Sequence, residues 1–138
     1  MKNMTNSKCR KLGKAQLIKA FKELHLKDGL GDEEVGAEDF SYWYNKARDG
    51  MIGNYLIYEV IASDAARRAD DLVVGREFYA QIDVFSVKSF ESKQLYDFLV
   101  HLEERLTAAG FEVDAQGEDY EPDTRLYHQA YFISKLFF

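Results

Sequence analysis

From about Lys14 the apolar positions recur at helical spacing. Leu17, Ile18, Phe21 and Leu24 fall on one side and lysines on the other, which predicts a helix over residues 12–27 closed by Asp28-Gly29. A cleaner stripe of Leu95, Phe98, Leu99, Leu102, Leu106 and Ala109 predicts a second helix over residues 89–109. It would have Ser89 as N-cap, Glu91 in the first turn and Gly110 just past the end. Residues 54–62 and 78–87 are rich in Tyr, Ile, Val and Phe and read as strands, joined by a polar connection over 63–75. Residues 111–115 and 126–136 read as two further strands around an acidic turn over 117–123. The order helix, strand, strand, helix, strand, strand predicts an α+β fold: a four-stranded, mainly antiparallel sheet with helices packed against it, in one domain over 1–138. Residues 1–11 are polar and basic and read as a flexible arm. Residues 28–41, with Asp28, Asp32, Glu33, Glu34, Glu38 and Asp39 among Gly29, Gly31 and Gly36, read as an acidic loop. The Tyr42-Trp43-Tyr44 run that follows is either a lid on the core or an exposed contact.

A sheet with one wet face alternates apolar and polar residues, and these strands do not. Tyr55, Ile57 and Ile61 oppose Leu56, Tyr58, Val60 and Ala62; Phe78, Ala80, Ile82 and Val84 oppose Tyr79, Gln81, Asp83, Phe85 and Val87. Leu126, Ala130, Phe132 and Leu136 oppose Tyr127, Gln129, Tyr131, Ile133 and Phe137. Two helices cover about one face of such a sheet, so a tyrosine-bearing second face calls for a partner, and a homo-oligomer is expected. Trp43, Tyr55, Tyr58, Tyr79, Phe85, Tyr127 and Tyr131 are the expected subunit contacts, and replacing Tyr79 and Tyr131 together by serine is expected to shift an assembly toward monomers. The competing arrangement places one helix on each face and leaves no such surface.

Charge is unevenly spread. The chain carries a net −6, yet residues 1–27 hold eight Lys/Arg against Glu23 alone. A basic arm on an acidic body can touch nucleic acid, although a solvated helix face is the commoner meaning, and no stacking motif accompanies the lysines. Recognisable chemistry is sparse. Cys9 is the single cysteine, so no internal disulfide or cysteine cluster forms. His25, His101 and His128 lack ligand spacing; His101, four residues after Asp97, suggests a surface pair, and His128 a hydrogen-bonded role in the last strand. The acidic sets Asp64, Asp70, Asp71 and Glu118, Asp119, Glu121, Asp123 do not fit a calcium loop and read as solvated turns. Gly29-Leu30-Gly31 lacks the lysine of a phosphate loop, and no G-x-S-x-G elbow occurs. No catalytic, cofactor or metal residues are expected, and no apolar run approaches membrane-spanning length.

Three segments carry a resemblance. Ala69-Asp70-Asp71, then Gln81-Ile82-Asp83-Val84-Phe85-Ser86, then Tyr120-Glu121-Pro122-Asp123-Thr124-Arg125-Leu126-Tyr127-His128 occur in that order. The stretch over residues 54–134 resembles the small tail-completion or tail-terminator (minor tail) proteins of long-tailed bacteriophages and of prophages in Gram-positive bacteria. Arg125 stands where many relatives would carry glycine, and Ser134-Lys135 departs from a more typical end. The resemblance implies a structural protein of the virion rather than an enzyme, assembled in the bacterial cytoplasm. Its subunits would form a ring, commonly a hexamer, that caps the tail tube and meets the head–tail connector, with DNA passing through the lumen unbound. It marks Asp70, Asp71, Asp83, Tyr120, Asp123, Thr124, Tyr127 and His128 as motif positions that define the fold. Asp123 and Thr124, like Asp70 and Asp71, are expected to hydrogen-bond turn backbone. A neck or head-completion protein is the nearest alternative, and a small nucleic-acid-binding domain a more distant one.

Overall fold

The computed structural model describes residues 2–31, 34–36, 39–51 and 53–138. Asp32, Glu33 and Glu38 of the expected acidic loop lie outside them. The chain is α+β, with helices α1 (Asn6–Glu23) and α2 (Lys93–Ala108). The strands are β1 (Lys27–Asp28), β2 (Phe40–Tyr44), β3 (Asn54–Ala69), β4 (Leu72–Ser86), β5 (Glu112–Glu121) and β6 (Leu126–Phe137). They form one mixed sheet in the order β1-β2-β3-β4-β6-β5. The sheet has six strands where the sequence pattern predicts four, because Lys27–Asp28 and Phe40–Tyr44 pair parallel to the chain beside them, with Tyr42 opposite Leu56 and Trp43 opposite Ile57. A five-residue aromatic strand without alternation carries no period that separates it from a lid. The remaining pairs are antiparallel.

Both helices lie on the same face of the sheet. Leu56 and Tyr58 of β3, Phe78, Ala80, Ile82 and Val84 of β4, and Tyr131 and Ile133 of β6 bury against Leu17 and Phe21 of α1 and Leu95, Leu102 and Leu106 of α2. Each fully buried large side chain contributes about 1.5–3 kcal/mol. The approach of α1 is set by Gly13, where a Cβ would stand 2.3 Å from Cε2 of Phe78. The two helices are tied by Arg105 Nη1 to Glu23 Oε2 at 2.9 Å, and Lys135 Nζ donates to Gln16 Oε1 and to the Ala109 carbonyl.

Several boundaries differ from the sequence expectation. Residues 3–11 are not a loose arm. The Met4 amide donates to the Val73 carbonyl, Val73 donates to Asn3 Oδ1, and Thr5 caps α1 by accepting from the Lys8 amide at 3.1 Å. Cys9 is therefore fully buried inside α1. The helix ends at Glu23, before Asp28-Gly29, because His25 turns left-handed at φ 61 and Leu26 donates back to the Phe21 carbonyl. α2 is capped by Ser92, not Ser89, which serves the preceding turn by accepting from the Glu91 amide. Gly110 closes α2 as expected, with φ 92 and a Phe111 amide that reaches the Leu106 carbonyl.

The polar stretch 63–75 is not a connection but most of a long ribbon. β3 and β4 continue to a two-residue turn at Asp70 and Asp71, both left-handed at φ 50 and 63, the twist that suits a tight hairpin. Their role is backbone conformation rather than the expected side-chain hydrogen bonding. The acidic stretch 117–123 likewise belongs mostly to β5. The turn proper is Pro122–Arg125, in which Thr124 donates to the Glu121 carboxylate at 3.1 Å rather than to backbone, while Asp123 lies exposed. Arg125 stands at φ 60, the conformation in which glycine is unstrained. Arg125→Gly is expected to raise stability by about 0.5–1 kcal/mol, as relief of left-handed strain exceeds the added freedom of the unfolded chain; urea unfolding checks this.

Candidate interaction surface

The face turned away from the helices divides in two. At the end holding Trp43 of β2 and Tyr55 of β3, the chain covers its own sheet. The connection from β2 to the start of its parallel neighbour β3 lays Ala47 and Met51 against a small cluster of Trp43, Tyr55 and Leu126. Trp43 is held by its indole N–H donating to Ser41 Oγ at 2.8 Å, with the Arg48 guanidinium 5.9 Å from the ring centre. Tyr55 stacks on Phe85 at 5.1 Å, and Phe85 stacks on the imidazole of His128 at 4.5 Å and 8°.

Beside this stack sits the polar centre of the face. His128 Nε2 lies 2.7 Å from Asp83 Oδ1, and its Nδ1 3.6 Å from Glu121 Oε1. Gln81 Nε2 donates to both Asp83 oxygens. The hydrogen bond to Asp83 raises the His128 pKa above its ordinary 6.5; burial opposes the rise, and Asp83, Glu121 and Asp119 reinforce it. Folded His128 thus titrates above its unfolded value. Its contribution to stability is complete below pH 6.5 and is lost as pH rises through the folded pKa. With the site partly solvated the effect is under about 1 kcal/mol. It is expected as a melting temperature that falls as pH rises above about 6.5, a slope that His128→Gln removes.

Beyond this centre the face is uncovered. Ile61 is 51% exposed, Tyr79 37% and Phe132 43%. Ala62 pairs with Tyr79, and Tyr79 with Ser134; Gln81 pairs with Phe132. Tyr79 and Phe132 are therefore diagonal neighbours across β4 and β6, and Ile61, the extra residue of the bulge between Val60 and Ala62, stands next to Tyr79's partner.

The seven contact residues expected from sequence are thus dispersed. Tyr79 is on the open face and exposed. Phe85, half-buried, also lies there. Trp43 and Tyr55 lie on the same face but are buried by residues of their own chain. Tyr58 and Tyr131 stand buried on the helix-covered face, and Tyr127 lies half-buried on the same face. Burial pushes the Tyr58 phenol up to about 12 and raises that of Tyr131, whose hydroxyl donates to Glu103 Oε2 at 3.1 Å. Tyr127 packs between Phe90 at 5.4 Å and Tyr120 at 4.8 Å. Ile61 and Phe132 stand beside Tyr79 outside those seven; their signal in the sequence is apolar residues on a face without a second helix. Asp97 pairs with Lys93 rather than with His101. Among the described residues no three His, Cys, Asp or Glu side chains converge as metal ligands would, and no helix is long and apolar enough to cross a membrane. No protein-family model matches the chain, and no curated protein matches it either.

Proposed function

We propose that this chain is a structural subunit of a long-tailed phage particle, which assembles as a ring, most simply a hexamer, on the end of the tail tube and presents a docking surface to the head–tail connector. The reading begins from the three motif segments and is carried by one observation: the sheet keeps both helices on one face and leaves Ile61, Tyr79 and Phe132 uncovered on the other. Exposed large apolar groups grouped on one face suit contact with another protein surface. The motif residues support a mechanical role. Asp70 and Asp71 shape a hairpin, His128 and Asp83 bind β6 to β4, and Thr124 holds the turn into β6. The ring would act by occupying the growing end of the tube, and a net negative subunit would let DNA pass without adhering.

The nucleic-acid reading has less support. The exposed lysines of α1, Lys8, Lys11, Lys19 and Lys22, stand on the helix layer, whereas Tyr79 and Phe132 are on the opposite face. Bases could not stack on those rings while phosphates met the lysines. Electron microscopy of particles lacking this chain tests the proposal. Tails longer than native indicate a terminator. Filled heads without tails indicate a neck part, and normal particles contradict both.

A further inference from the structure

We propose that copies of this chain join edge to edge, the unpaired edge of β3 in one copy pairing antiparallel with the outer edge of β5 in the next, so that one sheet continues from subunit to subunit. The partner is a second copy of this chain. The inference rests on the ring reading above and supplies its joint.

Three observations carry it. First, besides the two-residue edge strand β1, the sheet has two longer free strand edges on its opposite sides. β2 pairs with β3 only as far as Tyr44 opposite Tyr58, so among the described residues the stretch from Glu59 to Ala69 has a strand neighbour on one side only. β5 ends the sheet and pairs only with β6. Unpaired edges are templates for strand addition. Second, the strand directions agree. β3, β4, β6 and β5 alternate in direction, so β5 runs opposite to β3. A copy set alongside in the same orientation therefore offers its β3 to β5 in the antiparallel sense, extending the existing ladder. Such a head-to-tail contact uses two different surfaces and closes into a ring when the rotation permits. Third, the edges differ in charge where they project. The free stretch of β3 exposes Glu59 and Asp64 along its length and groups Arg67 and Arg68 at its distal end, whereas β5 exposes Glu112, Asp114, Glu118 and Asp119 and carries no basic residue. Arg67, resting over the Phe138 ring at 5.3 Å, is held at the sheet rather than swinging free. Opposite charges on facing strands favour the pairing, and like charges oppose two β5 edges meeting each other.

Register adds a constraint. Within one copy Val113 lies level with Val60, through Ile133 and Ala80. Setting Glu112 opposite Arg68 places Asp114 opposite Ala66, because Arg67 and Arg68 are adjacent and point to opposite faces while Glu112 and Asp114 share one, so Arg68 with Glu112 is the direct charge pair; to reach that register successive copies must be staggered along the strands. A sheet that closes on itself with tilted strands has such a stagger.

The test uses charge exchange between copies. One variant carries Arg67→Glu with Arg68→Glu, a second carries Glu112→Lys with Asp114→Lys, and a third carries all four. Sedimentation measures self-association of each, and thermal melts check that each folds. The two-residue variants are expected to associate about tenfold more weakly, and the four-residue variant to recover most of the loss. Because β4 and β6 separate the two edges within a copy, recovery reports a contact between copies. Hydrogen exchange on the native chain is the second readout, independent of whether any variant folds. Amides in 59–69 and 112–121 are expected to slow on assembly. Assembly without that protection, or without recovery in the four-residue variant, overturns the edge joint alone and leaves the ring reading standing. A native chain that stays single from micromolar to millimolar concentration and on tail tubes overturns both.

Discussion

Tyr131→Ala is expected to destabilise the chain by about 3–5 kcal/mol, whereas Tyr79→Ser changes stability by less than about 1 kcal/mol and weakens self-association instead. Tyr131 is 1% exposed and sits in the core between the sheet and the helices, its hydroxyl donating to Glu103. Truncation opens a cavity the size of a phenol ring and removes the partner of the Glu103 carboxylate. Tyr79 is one strand away, with its side chain on the opposite face and 37% exposed. The two residues look alike in sequence, and replacing both by serine confounds folding with assembly. Measured singly, by urea unfolding and by sedimentation, they separate the two layers of the molecule. A loss of similar size at both positions contradicts the assignment of faces.

Gly13→Ala is expected to cost about 2 kcal/mol, although alanine is the better helix former by about 1 kcal/mol. The added methyl would stand 2.3 Å from Cε2 and 2.4 Å from Cδ2 of Phe78. That ring is 0% exposed and fixed between Phe111 at 6.3 Å and Phe137 at 6.2 Å, so it cannot swing aside. The helix must lift from the sheet, loosening Leu17 and Phe21 with it. A melting temperature lower by roughly 5–10 °C is the expected reading; an unchanged or higher one shows that α1 can shift without loss.

What could be read from the sequence follows from where the physics is periodic. α2 was legible because Leu95, Leu99, Leu102 and Leu106 repeat at helical spacing above a glycine stop, and the same four are buried. Strands β4 and β6 were legible from Phe78, Ala80, Ile82 and Val84 and from Tyr131 and Ile133. The two parallel strands were not. β1 has two residues, and β2 is aromatic throughout, so neither shows a period. The outer ribbon was missed for a different reason. Its residues from Asp64 to Arg68 face solvent and carry loop-like composition, while the signal for the turn lay in two aspartates that accept left-handed backbone. The start of α1 was hidden because Asn6, Ser7 and Lys8 are exposed, and only the buried Cys9 and Gly13 mark that turn as packed.

For the candidate surface, parity along the strands sorted which residues share a face as far as the bulge at Ile61, beyond which Ala62 changes sides and pairs with Tyr79. It could not say which face the helices take. That choice puts Tyr58 and Tyr131 in the core, Tyr127 half-buried at its margin and Tyr79 outside. Nor could it show that Ala47 and Met51 pack over Trp43 and Tyr55, because they stand in a connection of mostly polar residues and glycine that shows no period.

The central claim is that other copies of this chain shield the uncovered sheet face and its edges. Sedimentation of the purified chain from micromolar to millimolar concentration, alone and with tail tubes, tests it most directly. The account predicts a closed species of several chains that Tyr79→Ser weakens. A mass of one chain under every condition, with the native protein folded, contradicts it.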